Sequence, residues 1–140
     1  MVCHTRIHYG GNAMSTNAGL AYSNDQKFRL HFDEICSCLH MEWQKETSIA
    51  DYLLALEHDE FQVLLFDCHE VDNETIKWAT FVRKLRPRLP LIVASEVCDK
   101  EAGARLLEQG IFYLGQHPLD NEVMTKVLTS AIKQQTLNKQ

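Results

Sequence analysis

Residues 61 to 67 read FQVLLFD, a short apolar run that ends in an aspartate. Two later runs have the same form: LIVA at Leu91–Ala94 ends in Ser95, and IFYL at Ile111–Leu114 ends near Gly115. Short runs that are apolar on both faces are typical of strands in a parallel sheet covered by helices. The sequence therefore predicts three buried strands in its second half.

Helical patterns surround these strands. Ser48, Asn73, Asp99 and Asp120 each stand at a plausible N-cap before apolar residues at helical spacing, and Gly110 is placed to close the third of these helices. Residues 48–134 thus alternate helix and strand with short connections. That alternation predicts an α/β fold with right-handed crossovers and a doubly wound parallel sheet.

The first half of the chain has a weaker pattern. Four apolar residues at helical spacing predict a helix over Lys27–Met41, and Glu42–Thr47 follows as a short second strand. The first strand is predicted at Thr5–Tyr9, before a Gly-Gly-Asn turn. Residues Asn12 to Asp25 are rich in Asn, Ser, Gly and Ala and are interpreted as a long loop.

An alternative places the first strand at Phe28–Phe32. That choice leaves only Ile35–Ser48 for a helix and a second strand, whereas a parallel crossover needs a dozen or more residues. We therefore predict one domain over residues 1–135, in which residues 1–26 form an irregular N-terminal strand and long loop. Residues 136–140 are interpreted as a polar tail or the start of a linker.

Composition excludes several classes of function. The 140 residues carry a formal net charge of −5, which argues against nucleic-acid binding by this domain because phosphate contacts need a basic face. No apolar run is long enough to cross a membrane, and Met1–Gly11 has no secretory signal core. The five cysteines include no CxxC pair, so we expect free thiols in a reducing cytoplasm and no metal site.

Polar groups follow the predicted strands at the edge where ligands of open parallel sheets bind. These are Asp67, Ser95, His117 with Pro118, and the first-loop pocket Gly10, Gly11 and Asn12. Together with Gly110 and Asp120, this arrangement resembles the receiver domain of bacterial response regulators. In that family an aspartate after the third strand accepts a phosphoryl group, a Ser or Thr ends the fourth strand, and a Lys-Pro pair follows the fifth.

The resemblance implies a flavodoxin-like (βα)5 architecture with strand order 2-1-3-4-5. It places Asp67 at the phosphoacceptor position, with Ser95, His117 and Pro118 at the switch positions. It also implies a cis peptide bond between His117 and Pro118, which is uncommon even before proline.

Several residues depart from the family pattern. His117 stands where the family has a lysine, Leu114 where it has an aromatic residue, and Gly10, Gly11 and Asn12 where it has an acidic pair that holds Mg²⁺. Phosphoryl transfer to an aspartate needs a divalent ion and is helped by a lysine. We therefore expect weak Mg²⁺ binding, no other cofactor, and a degenerate pseudo-receiver without catalytic residues in which Asp67 is not efficiently phosphorylated.

The function that follows is a regulatory module in two-component signal transduction, not an enzyme. It is expected to bind a protein partner or a fused effector domain, such as that of a transcription regulator. A homodimer is expected through the fourth helix, fifth strand and fifth helix, with Phe112, Tyr113 and Leu114 as apolar surface. Two alternatives stay open: a working phosphoacceptor that uses Asp67, and a small flavodoxin-like protein that binds a ligand at Gly10 and Gly11.

Overall fold

The architecture alternates strand and helix along the chain. A computed structural model describes residues 17–138. The strands are β1 (Asn17–Tyr22), β2 (Met41–Glu46), β3 (Val63–Glu70), β4 (Leu91–Val97) and β5 (Tyr113–Gln116). The helices are α1 (Gln26–Cys36), α2 (Ile49–His58), α3 (Asn73–Leu85), α4 (Lys100–Leu107) and α5 (Asn121–Asn138).

The five strands form one parallel sheet in the order β2-β1-β3-β4-β5. Helices α2, α3 and α4 cover one face, with a core that includes Tyr52, Leu64 and Leu106. Helices α1 and α5 cover the other face, with a core that includes Phe32 and Leu128. The predicted α/β class and strand order are confirmed.

The prediction for the first strand is wrong. Thr5–Tyr9 lies outside the described residues, and the sheet position beside β3 is occupied by Asn17–Tyr22, inside the predicted loop. The alternative strand, Phe28–Phe32, is part of α1. The strand reads NAGLAY, and its glycine has a packing reason: a Cβ added to Gly19 would lie 2.6 Å from the ring of Trp43 on β2.

Several element boundaries also differ from the sequence prediction. Helix α1 ends at Cys36 and not at Met41. Met41 is instead the first residue of β2. The N-cap of α3 is Asp72, one residue before the predicted Asn73. Helix α5 continues to Asn138, so the tail expected from residue 136 is helical over most of its length.

Other local predictions are confirmed. The His117–Pro118 peptide bond is cis, and Gly110 has a φ of 85° at the end of the α4 turn, where glycine is favoured. Asp99 caps α4 through the backbone N–H of Ala102. Within residues 17–138, no helix is long and apolar enough to cross a membrane.

The two edges of the sheet differ from its centre. Edge strand β2 carries exposed Glu42 and Lys45, whereas the first five residues of central strand β4 are all buried. Edge strand β5 has only four residues. Thus the apolar surface is concentrated at β3 and β4, which end beside the site described next.

Candidate functional site

The candidate site lies at the carboxyl end of the sheet, where β1, β3, β4 and β5 finish side by side. Asp67 on β3 is at its centre and only 4% of its surface is exposed. The Ser23 hydroxyl, directly after β1, donates to Asp67 Oδ2 at 2.8 Å. Nε2 of His117, directly after β5, lies 2.6 Å from Asp67 Oδ1. Both carboxylate oxygens therefore have a protein partner.

The imidazole of His117 is fixed from two sides. Its ring stacks on Phe28 of α1, with ring centres 4.9 Å apart and planes 17° from parallel. While Asp67 is ionised its oxygens only accept hydrogen bonds, so in that state the proton of this contact lies on Nε2. Only 14% of the His117 side chain is exposed. The ring thus closes over Asp67 instead of extending into solvent.

Ser95, the fifth residue of β4, lies beside this group. The backbone N–H of His117 donates to the Ser95 carbonyl at 2.9 Å, which ties the end of β5 to β4. Ser95 is fully buried, and its hydroxyl has no hydrogen-bond partner among the described residues. It is therefore a buried polar group that the surrounding side chains leave unsatisfied.

The ionisation of Asp67 reflects two opposing effects. Burial raises the pKa of this carboxyl group, because the charged form loses hydration. Hydrogen bonds from Ser23 and His117 act in the opposite direction, and the nearby charge of Asp25 raises the pKa further. The pKa of Asp67 is raised overall, so keeping this carboxylate ionised lowers the stability of the folded protein.

Solved structures with the same architecture identify the fold. A response regulator receiver domain protein from Methanospirillum hungatei, described as CheY-like, is similar to this chain with a TM-score of 0.78 and 18% sequence identity. The match covers 89% of this chain and 99% of that one. The chain has the receiver fold.

Other receiver structures agree with this. The signal receiver domain of an HD domain-containing protein from Pseudomonas fluorescens has a TM-score of 0.76 and 16% identity, covering 87% of this chain and 98% of that one. A response regulator from Thermotoga maritima has a TM-score of 0.75 and 12% identity, covering 85% and 99%. No protein-family model and no curated protein sequence matches the chain.

The receiver fold raises the question of a magnesium site beside Asp67. Mg²⁺ binds through carboxylates and keeps several waters. Asp67 Oδ1 and Oδ2 are engaged by His117 and Ser23, and the Asp25 carboxylate accepts from the backbone of Lys27 and Phe28 as the N-cap of α1. No three His, Cys, Asp or Glu side chains in the described part of the chain lie close enough to hold a metal ion. Each of these two carboxylates therefore already has hydrogen-bond partners within the protein.

The structure brings three of the predicted site residues together: Asp67, Ser95 and His117. Pro118 follows His117 through a cis peptide bond and is exposed to solvent. The predicted first-loop pocket, Gly10, Gly11 and Asn12, lies outside the described residues. The loop that follows β1 is formed by residues 23–25, and its first residue contacts Asp67.

Ser23 and Phe28 are the site residues that sequence reasoning missed. A usable signal for Ser23 was present, because Asp25 is a good N-cap for the apolar pattern that begins at Phe28. A helix that starts there needs its strand to end just before it, at Tyr22, because connections between a strand and the next helix are short. Phe28 has no such signal, since a core aromatic and one stacked on a histidine have the same sequence pattern.

Proposed function

We propose that this chain is a regulatory module of a signal-transduction pathway that acts by binding other proteins, and that Asp67 is not an efficient phosphoryl acceptor. The observation that supports this is the engagement of both Asp67 oxygens, by Ser23 and His117. Forming an acyl phosphate joins one of these oxygens to phosphorus, so at least one of the two buried contacts has to break. In this proposal the domain is not an enzyme and binds neither nucleic acid nor membrane.

The charges around Asp67 also support the proposal that it is not an efficient phosphoryl acceptor. A phosphoryl donor brings negative charge that a divalent ion and a cationic side chain normally offset. Here His117 supplies no charge when neutral, and when protonated its charge is already opposed by Asp67. Stabilisation of the transition state by a positioned cation is worth several kcal/mol, and each ~1.4 kcal/mol is about tenfold in rate. We therefore expect phosphorylation to be slower by several decades than in a receiver with both cations.

One observation favours the alternative of a working phosphoacceptor. Asp25 lies close enough to Asp67 for its charge to raise the pKa of Asp67, so an acidic group is present near the pocket. Its carboxylate is occupied as a helix cap, which is why we place this reading second. The flavodoxin-like alternative depended on Gly10 and Gly11, and no described residue favours it.

Beryllofluoride with Mg²⁺, a mimic of aspartyl phosphate, tests the proposal. We expect the amide NMR spectrum to stay nearly unchanged on addition, and Asp67→Ala serves as the matched control. A Ser23→Asp/His117→Lys double variant supplies the missing acid and cation and is expected to gain a response. Large shifts around Asp67, Ser95 and His117 in the natural protein, abolished by Asp67→Ala, would contradict the proposal and support the phosphoacceptor alternative.

Two kinds of partner fit this role. One is an attached effector domain; the Pseudomonas fluorescens neighbour is itself the receiver domain of an HD domain-containing protein. The other is a second copy of the chain, bound through the face of α4, β5 and α5. Leu107 on α4 and Val123 on α5 are 52% and 40% exposed on these elements.

The strand of that face contributes less than the sequence suggested. Phe112, Tyr113 and Leu114 are all half-buried and pack against the two cores of the sheet. In the proposed homodimer the exposed apolar contacts therefore come mainly from the two helices.

A further inference from the structure

An open cleft of about 550 Å³ lies beside Asp67, between the first turns of α2 and α3. Its floor is apolar and consists of Tyr22, Ile49, Phe66 and Trp78. The rings of Tyr22 and Phe66 stack at 4.9 Å, and Trp78 meets Phe66 edge-on at 5.7 Å. Phe81, 48% exposed, continues this aromatic surface along α3 at 6.0 Å from Trp78. We call this site the aromatic cleft.

The rim of the aromatic cleft is acidic. It is formed by Asp25, Glu70, Asp72, Glu74 and Glu96, and neither lysine nor arginine is among the described residues that line the cleft. Asp72 caps α3, and Glu96 contacts His69 at 2.7 Å. The carboxylates of Glu70 and Glu74 make no hydrogen bond or ion pair with any described side chain and are exposed to solvent. Two negative charges are thus free at the mouth of an aromatic floor.

A buried polar group without a partner lies directly behind this floor. Tyr52 is fully buried, and its hydroxyl has no hydrogen-bond partner among the described residues. It borders a small void that shares Phe66, Thr75 and Trp78 with the aromatic cleft. A buried hydroxyl left unsatisfied costs free energy, so the packing directly behind the aromatic floor is not optimal.

We propose that the aromatic cleft docks a basic segment of a partner protein, with an arginine side chain over the half-buried ring of Trp78 and its charge between Glu70 and Glu74. This inference rests on the proposed function, because it names the chemistry of the partner that the regulatory module binds. A guanidinium group is planar, weakly hydrated and rich in donors, so it stacks on aromatic rings while it pairs with carboxylates. An acidic partner would be repelled by the rim.

The apolar part of the floor also restricts the partner segment. Ile49 is 39% exposed at the α2 side, and Phe81 is exposed at the α3 side. A segment in which apolar residues alternate with arginines would cover both while its charges face the rim. Lysine is expected to bind less well than arginine, since a compact ammonium does not stack on a ring as a planar group does.

The test uses a short blocked peptide of alternating arginine and leucine, titrated into the full chain and followed by NMR. We expect shifts to cluster at Trp78, Phe66 and the first turn of α3. A peptide with glutamate in place of arginine should not bind, and the lysine version should bind more weakly. Affinity should fall at higher salt, because exposed charges are screened.

A pair of double variants isolates the rim charges. Glu70→Gln/Glu74→Gln removes two charges from the cleft, and Glu34→Gln/Glu57→Gln removes the same charge from exposed positions on α1 and α2 that lie outside the cleft. We expect the cleft variant to lower peptide affinity about tenfold, which corresponds to ~1.4 kcal/mol, and the control to change it little. Trp78→Leu should weaken binding while its circular dichroism spectrum reports whether the fold is intact.

Three results would overturn the cleft inference: no binding of the arginine peptide, equal loss in both double variants, or equal binding of the glutamate peptide. Beryllofluoride on the same sample separates this failure from failure of the proposed function. A beryllofluoride response with intact peptide binding contradicts only the proposed function. Absence of both responses contradicts only the cleft inference.

Discussion

Burial shifts the pKa values of several side chains in this protein more than neighbouring charges do. All four cysteines in the described part of the chain are free, as the sequence predicted for a chain without CxxC pairs, and Cys3 lies outside it. Burial raises the pKa of Cys36 and of Cys68 to about 12. Because the thiolate is the nucleophile, these two thiols are unreactive at neutral pH. Their role is packing, although Cys68 directly follows Asp67.

Asp67 allows a prediction about pH at the same scale. Its pKa in the folded protein is raised above its ordinary value of 3.8 by burial. A group of this kind contributes most to stability below its unfolded pKa, and that contribution is lost as pH rises through the folded pKa. Asparagine has a similar shape and does not ionise. The free energy of unfolding of Asp67→Asn, minus that of the natural protein, should therefore become more positive as pH rises.

Chemical denaturation at a series of pH values from about 4 to about 8 measures this difference. Ser23, His117 and Asp25 are the groups that act on Asp67, so the same comparison in a His117→Gln background separates the carboxylate from the imidazole. A difference that falls with rising pH would mean that the hydrogen bonds outweigh burial.

At the scale of helices and strands, the start of α3 gives a matched pair of substitutions. Asp72 Oδ1 accepts from the backbone N–H of Thr75 at 3.0 Å and from its hydroxyl at 3.0 Å, whereas Asn73 is the first residue of the helix. Asp72→Ala should lower the free energy of unfolding by about 1 kcal/mol, the usual value of an N-cap. Asn73 caps nothing, and its Oδ1 accepts only an exposed hydrogen bond from Arg105 at 3.0 Å, so Asn73→Ala should lower it by no more than about 0.5 kcal/mol.

Urea denaturation of both variants checks this prediction. The hydrogen bonds from Thr75 lower the pKa of Asp72, so the stability contributed by its charge is present above the unfolded pKa and is lost as pH falls through the folded pKa. The difference in the free energy of unfolding between the two variants should therefore become smaller at acidic pH. If both substitutions lower the free energy of unfolding equally at neutral pH, Asp72 is not the residue that caps α3.

The elements also explain which parts of the fold could be predicted. β3 and β4 are buried on both faces, so their sequences are continuous apolar runs and were identified directly. β1 is equally central but packs against the ring of Trp43 at Gly19, and that close approach leaves no room for a side chain at this position. With Asn, Gly and two Ala among its six residues, β1 has much of the composition of a loop. Hydrophobic periodicity therefore could not find it.

The error in β1 carried over to the site. A first strand at Thr5–Tyr9 puts the first loop at residues 10–12 and Ser23 within a long connection. Asp67 and His117 were identified because each follows a well-defined run, but their mutual contact at 2.6 Å depends on three-dimensional packing. The ring stack of Phe28 on His117 likewise joins residues that are far apart in sequence.

For the whole molecule, the proposed homodimer leads to a prediction of oligomeric state. Stable contacts bury roughly 600–800 Å² per partner, and apolar residues at the centre dominate them. Sedimentation velocity at tens of micromolar should detect a dimer, and Leu107→Glu/Val123→Glu should convert it to monomer. Leu54→Glu, at a leucine that is 53% exposed on α2, is the matched control and should leave the dimer intact. A natural protein that is monomeric under these conditions would rule out this interface for the isolated domain.

The two sheet edges determine how this molecule would behave in a crowded or partly unfolded state. Unpaired edge strands are templates for fibril growth, and charged side chains or short length oppose it. Edge strand β2 presents Glu42 and Lys45, and Lys45 is held by Asp33 at 2.6 Å. Edge strand β5 stops after four residues, shortly before a proline that has no N–H to extend a ladder. The most aggregation-prone segments, β3 and β4, are thus enclosed between two strands that resist intermolecular pairing.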